Sequence, residues 1–307
     1  MSDKRVTMKD IAKEAGVSTA TVSYVLNYSE KEKISHETRM HIFEVANKLK
    51  YVPNMNAKTL ASQRSYLVGI IINMEGRNKK SKIYQYYDLS REIQRNLYPK
   101  GYDVVLLPAK EMEKDIVIGQ KRSLDAVFIF DMDEERLKTI ANRFYVPAIF
   151  IEGYVEDPIF CKILTDYEKV LQIAEKQLGN SFYVVMEDHF NKNVYETISK
   201  RIPPKDIFVN RYDSSLIQFL REHHNQKGLV IGELLGMQVE NYADNRNISV
   251  VVNSEKDIML LPDTKVIIVS NKKKAEKAVE IMDRLLRLDN TNEVERVTYI
   301  RPEWRDN

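Results

Sequence analysis

Apolar and polar residues follow two different patterns along this chain of 307 residues. In residues 7–49, apolar positions recur three and four residues apart, which predicts short helices. From Leu67 onward, short apolar runs alternate with helical patterns. Repeated strand–helix–strand units are typical of parallel sheets with helices on both faces. The pattern therefore predicts an all-α N-terminal region and an α/β core.

The first region carries start signals for three helices. Thr7 and Asp10 form a capping-box pattern that predicts a helix over 8–15. Gly16 tolerates a left-handed turn and Ser18 offers the next N-cap, so a second helix begins directly afterwards. Ser35 caps a third helix. The apolar stripe of this helix comprises Ile42, Val45, Ala46 and Leu49. We expect it to cover the apolar residues of the first two helices, which are Ile11, Ala12, Ala15, Val22, Val25 and Leu26. The arrangement predicts a helix-turn-helix.

A short segment, 54–64, separates this region from the core. It places Ala57, Leu60 and Ala61 on one helical face. Isolated helices below ~12 residues are marginal in water, so we expect this segment to order only on a partner.

The core pattern contains enough strands for two open sheets. The predicted strands are 67–72, 103–107, 126–130, 147–152, 181–186, 206–210, 228–232, 248–252, 266–270 and 296–300. The predicted helices are 87–98, 133–144, 166–178, 193–200, 216–223, 235–243 and 273–288. We expect two lobes with a boundary near 165, a C-terminal segment that returns toward the first lobe from about 265, and a ligand cleft between the lobes.

Composition and the N-terminal sequence argue against an exported, disulfide-bonded or membrane-spanning protein. The single cysteine, Cys161, cannot form an intrachain disulfide, and the N-terminus lacks the apolar stretch of an export signal. No apolar run approaches the roughly 20 residues that span a bilayer. We therefore expect a cytoplasmic protein without a membrane partner. The net charge is +2, yet residues 1–64 hold eleven Lys and Arg against seven Asp and Glu. This surplus indicates a partner of negative charge or a solvated surface.

The segment Ala15–Asn27, AGVSTATVSYVLN, carries the clearest chemistry. Its exposed positions are short polar groups that allow a helix to enter a major groove and meet phosphates and base edges. These positions are Ser18, Thr19, Ala20, Thr21, Ser23, Tyr24 and Asn27. An amphipathic helix with a hydroxyl-rich solvent face is the alternative.

Residues 6–65 closely resemble the DNA-binding headpiece and hinge of the lactose/galactose repressor (LacI/GalR) family. The matching segments are VTMKDIAKEAGVSTATVSYVLN and ISHETRMHIFEVANKLKYVPNMNAKTLASQRS. The resemblance implies a headpiece over 1–52, a hinge helix over 53–64, and an effector-binding and dimerisation core over 66–307 with the two-lobed fold of periplasmic binding proteins.

The resemblance also assigns roles to residues. It places Thr19, Ala20 and Tyr24 at the base-reading positions of the major groove. The expected phosphate anchors are Ser18, Thr21, Ser23, Asn27 and Tyr51. In the family, paired hinge helices enter the minor groove, and Leu60 occupies the position of the leucine that separates two base pairs. The other hinge positions expected at the DNA are Asn54, Ala57 and Lys58.

The core resembles the family in pattern more than in residues. The family's common V-x-x-D-N-x-x-G is ILTDYEKV here, which retains Asp166 but has Tyr167 and Val170. The arginine expected after the strand 181–186 is replaced by Asn191-Lys192-Asn193, and the acidic residue expected after Val252 by Asn253-Ser254. These positions commonly hold sugar hydroxyls. Three alternatives stay open: a non-sugar effector, a protein coregulator, or a core that only dimerises.

Other features predict less. Glu187-Asp188-His189 is more typical of a polar loop than of a metal site. Tyr84, Tyr86 and Tyr87 either stack on a cleft ligand or pack in the core and its rim. Trp304 is expected to be a packed anchor. Neither a catalytic constellation nor a phosphate loop is present in the sequence.

The sequence therefore predicts a non-enzymatic transcriptional regulator, a repressor in the first instance, that needs no metal or cofactor. It would bind a palindromic operator as a homodimer, or within a tetramer, under allosteric control from the core; the effector-binding residues are unknown. The competing classes are a transport-type solute-binding protein and a constitutive, effector-free DNA-binding protein.

Overall fold

A computed structural model of the chain describes residues 6–26, 34–49, 51, 64–72, 80–109, 124–141, 146–157, 160–287 and 295–305. Its internal contacts divide the chain into two compact units, Met1–Arg64 and Ser65–Asn307. We call the first unit the headpiece and the second the core.

The described part of the headpiece contains three helices, α1 (Met8–Ala15), α2 (Thr19–Leu26) and α3 (His36–Lys48). Ile11, Val22 and Ile42 are completely buried where the three helices meet. Removing each of these side chains from water contributes roughly 1.5–3 kcal/mol to folding. The predicted helix-turn-helix and its small core are confirmed.

In the described part of the core, the strands form two six-stranded sheets. Sheet 1 has the order β11-β5-β4-β3-β1-β2 and sheet 2 the order β12-β10-β9-β8-β6-β7. The strands of sheet 1 are β1 (Leu67–Ile72), β2 (Asp103–Pro108), β3 (Ala126–Phe130), β4 (Ala148–Ile151), β5 (Cys161–Thr165) and β11 (Val297–Ile300). The strands of sheet 2 are β6 (Phe182–Glu187), β7 (Ile207–Asn210), β8 (Lys227–Ile231), β9 (Ile248–Val252), β10 (Lys265–Ile268) and β12 (Glu303–Arg305).

Helices cover the sheets and define two lobes. Lobe 1 comprises sheet 1 with α4 (Lys80–Leu97), α5 (Glu134–Ala141) and α10 (Asn271–Arg287). Lobe 2 comprises sheet 2 with α6 (Tyr167–Leu178), α7 (Lys192–Ser199), α8 (Leu216–Glu222) and α9 (Glu233–Glu240). Short 3-10 helices span Tyr98–Lys100, Pro204–Asp206 and Asn245–Asn247.

The described chain crosses between the lobes at three places. Asp166 links β5 to α6, residues 269–270 link β10 to α10, and Arg301-Pro302 links β11 to β12. β5 and β11 are neighbours at one edge of sheet 1, and β10 and β12 are neighbours at one edge of sheet 2. All three crossings therefore join the same two edges.

The structure differs from the expectation in several elements. α4 begins at Lys80, not at Tyr87, and β5 and β12 are additional strands. β12 pairs with β10 in antiparallel orientation, so sheet 2 is not wholly parallel. Trp304 lies opposite Ile267 on this edge strand and is 54% exposed, so the prediction of a packed anchor is wrong.

Within the described ranges, no helix combines the length and the apolar character needed to cross a membrane.

Candidate functional site

The headpiece presents the start of α2 on a rigid turn. Thr7 donates its backbone N–H to Asp10 Oδ2 at 2.8 Å, which caps α1. Gly16 then adopts a left-handed φ of 68° and ends that helix. Because only glycine adopts this conformation at little cost, the residue sets the angle at which α2 leaves the turn.

Ser18 is the N-cap of α2. Its Oγ accepts the Thr21 N–H at 3.0 Å and lies 2.8 Å from Thr21 Oγ1. Ser18, Thr19 and Ala20 are exposed, whereas Thr21, Ser23 and Tyr24 are half-buried. The first turn of α2 thus offers small side chains and helix N–H groups to a partner, while Val22 and Val25 anchor the opposite face.

The remaining predicted DNA contacts are only partly described. Tyr51 is half-buried against the headpiece core, and its N–H donates to the Ala46 carbonyl at 2.9 Å. The others lie outside the described residues; they are Asn27, Asn54, Ala57, Lys58 and Leu60.

A second site lies in the core, where a cleft separates the two lobes. Asp131 directly follows β3 and Glu152 directly follows β4, which is its neighbour in sheet 1. Carboxyl ends of adjacent parallel strands meet at one edge of a sheet, so the two carboxylates face the same cleft. Both residues adopt positive φ, 38° and 56°. Such strain in non-glycine residues persists where the surroundings hold the side chain in place.

Each of these carboxylates is paired with a buried lysine. Lys82 Nζ on α4 lies 2.7 Å from Asp131 Oδ2, and the two side chains are only 3% and 2% exposed. Lys274 Nζ on α10 lies 2.6 Å from Glu152 Oε1. Thr165 at the end of β5 also donates its hydroxyl to Glu152 Oε1 at 2.5 Å.

Burial and pairing act in opposite directions on the acids. Burial raises the pKa of Asp131, but the Lys82 ammonium outweighs it and holds that pKa well below its usual range. Burial likewise raises the pKa of Glu152, and Lys274 and Thr165 hold it below the ordinary value. Both carboxyl groups are therefore ionised at neutral pH.

The cavity left in this cleft measures about 50 Å³. Its lining includes the Lys82, Asp131, Glu152, Lys274 and His189 side chains. Small-molecule sites usually measure ~300–1,000 Å³, so this cavity has no room for a sugar. An open groove of about 1680 Å³ lies at the mouth of the cleft, lined by both lobes.

The residues at the positions that commonly hold sugar hydroxyls in the family make other contacts here. Asp166 caps α6 by accepting the Lys169 N–H at 3.0 Å, and Val170 is buried in the apolar core. Tyr167 lines the cavity. Asn191 caps α7 and bridges to lobe 1, while Asn253 donates to the Val269 carbonyl within lobe 2.

Sequence reasoning missed Lys82, Asp131, Glu152 and Lys274. A usable signal existed for the two acids, because each stands directly after a buried apolar strand. The lysines gave no such signal, since each lies inside an ordinary amphipathic helix.

The tyrosines of α4 separate by burial. Tyr86 is buried and donates its hydroxyl to Asp131 Oδ2 at 2.8 Å, whereas Tyr84 and Tyr87 are exposed.

The side chains of Glu187, Asp188 and His189, at the end of β6, do not converge on one point. Glu187 Oε2 accepts from Asn210, Asp188 pairs with Arg211, and His189 contacts Lys82. Among the described residues, no group of three His, Cys, Asp or Glu side chains is arranged to hold a metal ion.

Comparison with known proteins adds independent findings. Residues 7–54 match the model of bacterial regulatory proteins of the lacI family. The chain is 29% identical over 212 residues to catabolite control protein A of Staphylococcus xylosus, which covers 66% of this chain and 61% of that protein. It is 44% identical over 73 residues to the sucrose operon repressor of Klebsiella pneumoniae, covering 24% of this chain and 22% of the relative. The chain thus spans less than two thirds of either relative.

Solved structures show the same fold. A lac repressor dimer bound to operator and the anti-inducer ONPF aligns with a TM-score of 0.66 at 19% identity, over 99% of this chain and 98% of that one. A periplasmic binding protein/LacI transcriptional regulator from Alkaliphilus metalliredigens aligns with a TM-score of 0.57 at 10% identity, over 78% of this chain and 97% of that one. Residues 7–54 thus match the lacI family of bacterial regulatory proteins, and the chain has the fold of these solved structures.

Proposed function

We propose that this chain is a sequence-specific DNA-binding transcriptional regulator that represses its target promoters as a homodimer. The start of α2 supports this most directly, because Ser18, Thr19 and Ala20 are exposed on a helix whose other face is buried. Small side chains let a helix sit deep in a major groove about 12 Å wide. In this proposal the chain binds DNA in the cytoplasm and catalyses no reaction.

The proposed contacts divide by chemistry. Thr19, Ala20 and Tyr24 read base edges, while the hydroxyls around them anchor phosphates. Ser18 and Thr21 use one hydrogen bond between their hydroxyls to hold the helix start. A hydroxyl offers one donor and two acceptor positions, so this pair retains capacity for a phosphate.

The segment 53–64 completes the proposed interface as a hinge helix. Leu60 would insert between two base pairs of the minor groove, with Asn54, Ala57 and Lys58 beside it. The cost of unstacking, a few kcal/mol, is offset by the contacts that a bent duplex permits.

A surface of lobe 1 supports homodimerisation. Tyr84, Tyr87 and Tyr98 lie along the exposed side of α4 and the turn after it, and Tyr87 is 60% exposed. Leu106 is exposed on β2, at the edge of sheet 1. Exposed apolar and aromatic side chains of this kind are typical of a protein interface, and two-fold pairing through them would match a palindromic operator.

Selection from a randomised duplex pool at two salt concentrations tests DNA recognition. We expect a palindrome with a readily kinked central step, bound more weakly as salt rises. Failure to enrich any sequence at either salt concentration would contradict the proposal.

Variants of the headpiece distinguish base reading from phosphate contact. Tyr24→Phe and Thr19→Ala are expected to change the preferred base at single operator positions, each by about 1–3 kcal/mol of discrimination. Thr139→Ala, at an exposed threonine of α5, is the control and should change neither affinity nor preference. A uniform loss across all sequences would assign Tyr24 to phosphate instead.

The hinge proposal has its own measurement. Leu60→Ala should reduce DNA bending and specific affinity while leaving the headpiece folded, as measured by fluorescence resonance energy transfer between the duplex ends. An unchanged bend angle would contradict the insertion of Leu60.

The dimer surface is tested by mass in solution. Tyr87→Arg should shift the protein toward the monomer in analytical ultracentrifugation, because it places a charge in the proposed interface. Tyr212→Arg, at a tyrosine of lobe 2 that is 67% exposed, should leave the mass unchanged. Equal masses for the two variants would count against this surface.

A further inference from the structure

We propose that the cleft of this chain is held closed by its own side chains, with the Lys82 ammonium joining the lobes where a regulator of this fold would otherwise use a bound effector. The inference rests on the proposed function in one respect, since it takes the cleft as the control site of a DNA-binding regulator. It deepens that function by assigning the closed core to the chain itself.

The first argument is the position of Lys82. Its ammonium lies 2.7 Å from Asp131 Oδ2 in lobe 1 and 2.7 Å from His189 Nδ1 in lobe 2. An ammonium has only hydrogens to offer, so it donates to both atoms. One side chain thus connects the two lobes through a buried charge.

The second argument is that the backbone of lobe 2 also binds the same carboxylate. The Asn191 N–H donates to Asp131 Oδ1 at 3.2 Å, and the Asn191 side-chain amide donates to the Glu152 carbonyl at 3.0 Å. Asp131 therefore accepts from both lobes, with Tyr86 adding a further hydrogen bond from α4. The polar partners that an effector would supply between the lobes are already present.

The third argument is space. Apart from the 50 Å³ cavity, the approach of the lobes is close: a methyl group at Gly232 of lobe 2 would lie 2.5 Å from Gln85 Nε2 of α4. A cavity of this size holds a few water molecules and no hexose. A hexose could enter this cavity only after Lys82 or Lys274 had moved away.

The energetics of a buried ion pair explain how Lys82 and Asp131 can affect lobe closure with little effect on the stability of the core. Replacing a buried ion pair by apolar residues of similar volume is often neutral for stability, because desolvation cancels much of the attraction. The pair therefore specifies the arrangement of the lobes more than it stabilises the fold. Its removal should alter lobe closure while the core remains folded.

Distances between spin labels on the two lobes test this proposal. Thr139→Cys on α5 and Asp213→Cys after β7 are both exposed at the mouth of the cleft, and the native Cys161 is buried. In the full-length protein without additives we expect one narrow distance distribution. It should not change with glucose, glucose 6-phosphate or sucrose at 10-fold molar excess or more.

The decisive variant is Lys82→Met with Asp131→Leu, which removes both charges together. We expect a longer and broader distance distribution, with cooperative unfolding retained. The control is Lys277→Met with Glu280→Leu, the same change at a partly exposed pair on α10, which should leave the distance as in the parent. His189→Ala is a second variant that removes only the lobe-2 end of the bridge and should also lengthen the distance.

Two results would overturn the proposal. One is a broad distribution in the parent that narrows when a sugar is added, and the other is an unchanged distance in both cleft variants. Operator binding is measured separately by fluorescence anisotropy. If no duplex is bound, the proposed function fails while the spin-label distances still decide whether the cleft closes by itself.

Discussion

Polar side chains face in opposite directions in the headpiece and in the cleft. At the start of α2, polar groups face outward and are supported from behind by an apolar core. In the cleft, charged groups face inward and are satisfied by one another. The first surface leaves its polar groups open to solvent, whereas the second already contains its counter-charges.

The family model matches residues 7–54, within the headpiece, and identity to the relatives falls as the match lengthens. The match to the Klebsiella pneumoniae repressor is 44% over 73 residues, whereas the longer match to the Staphylococcus xylosus protein is 29% over 212. A surface that recognises DNA requires particular side chains, but a sheet requires only buried apolar positions of suitable volume.

The largest expected effect comes from breaking a cleft ion pair on one side only. Glu152→Ala leaves the Lys274 ammonium buried without its carboxylate, which should cost about 3–5 kcal/mol in the free energy of unfolding of the core. Urea denaturation measures this loss. Glu280→Ala, at the exposed pair with Arg284, should cost ~1 kcal/mol or less. Comparable losses in the two variants would mean that the cleft charges are not effectively buried.

A glycine at the contact between the lobes gives the next effect. Gly232 has φ of 116°, and Gly179 has φ of 92° with no atom within 4 Å of an added Cβ. Alanine at either position should cost roughly 1–3 kcal/mol for backbone strain. Gly232→Ala should cost more than Gly179→Ala because its methyl group also meets Gln85. Thermal unfolding compares them, and equal values would argue against a close approach of the lobes.

Acid should destabilise the core through its carboxylates. The pKa values of Asp131 and Glu152 are held below their ordinary values, so their contribution is present above the unfolded values near 4 and is lost as pH falls through the folded ones. Each unit of pKa difference corresponds to about 1.4 kcal/mol. Calorimetry from pH 7 to pH 3 should show the melting temperature of the core falling steeply below pH 4. Glu152→Gln should flatten that dependence, and an identical profile would exclude Glu152 as a source.

The smallest effect separates folding from recognition in the headpiece. Ser18→Ala should cost about 1 kcal/mol of headpiece stability, because the Thr21 N–H loses its cap. Ser18→Asp restores a cap but brings a negative charge toward phosphate. We expect circular dichroism to report near-parental stability for Ser18→Asp, and anisotropy to report weak operator binding. Parental affinity in that variant would remove Ser18 from the interface.

The periodicity of apolar residues predicted most elements, because burial on one face is a local property of the sequence. The periodicity did not predict β5, because Lys162 interrupts the apolar run of this strand although it is buried. Its ammonium donates to the carbonyls of Val155 and Asp157, a compensation that only the fold supplies. α4 began too late in the prediction for a similar reason, since Ser81 and Lys82 are polar residues on its buried face.

The two sites differ in the same way. The proposed headpiece contacts lie mostly within one short segment, 18–27, whose spacing can be interpreted directly. In the cleft, Lys82 pairs across 49 positions with Asp131 and lies beside His189, 107 positions away. Pairing between such distant residues has no local signature, so only the acids at the strand ends could have been anticipated.

The short link between β11 and β12 limits how the lobes can move. Arg301 and Pro302 alone separate Ile300 in sheet 1 from Glu303 in sheet 2. With consecutive Cα atoms 3.8 Å apart, these strand ends can never be more than about 11 Å from each other. The two neighbouring crossings hold the same edges. Sliding of one lobe past the other is thus prevented, and any opening must be a rotation about an axis close to these edges, with displacements that grow with distance from it.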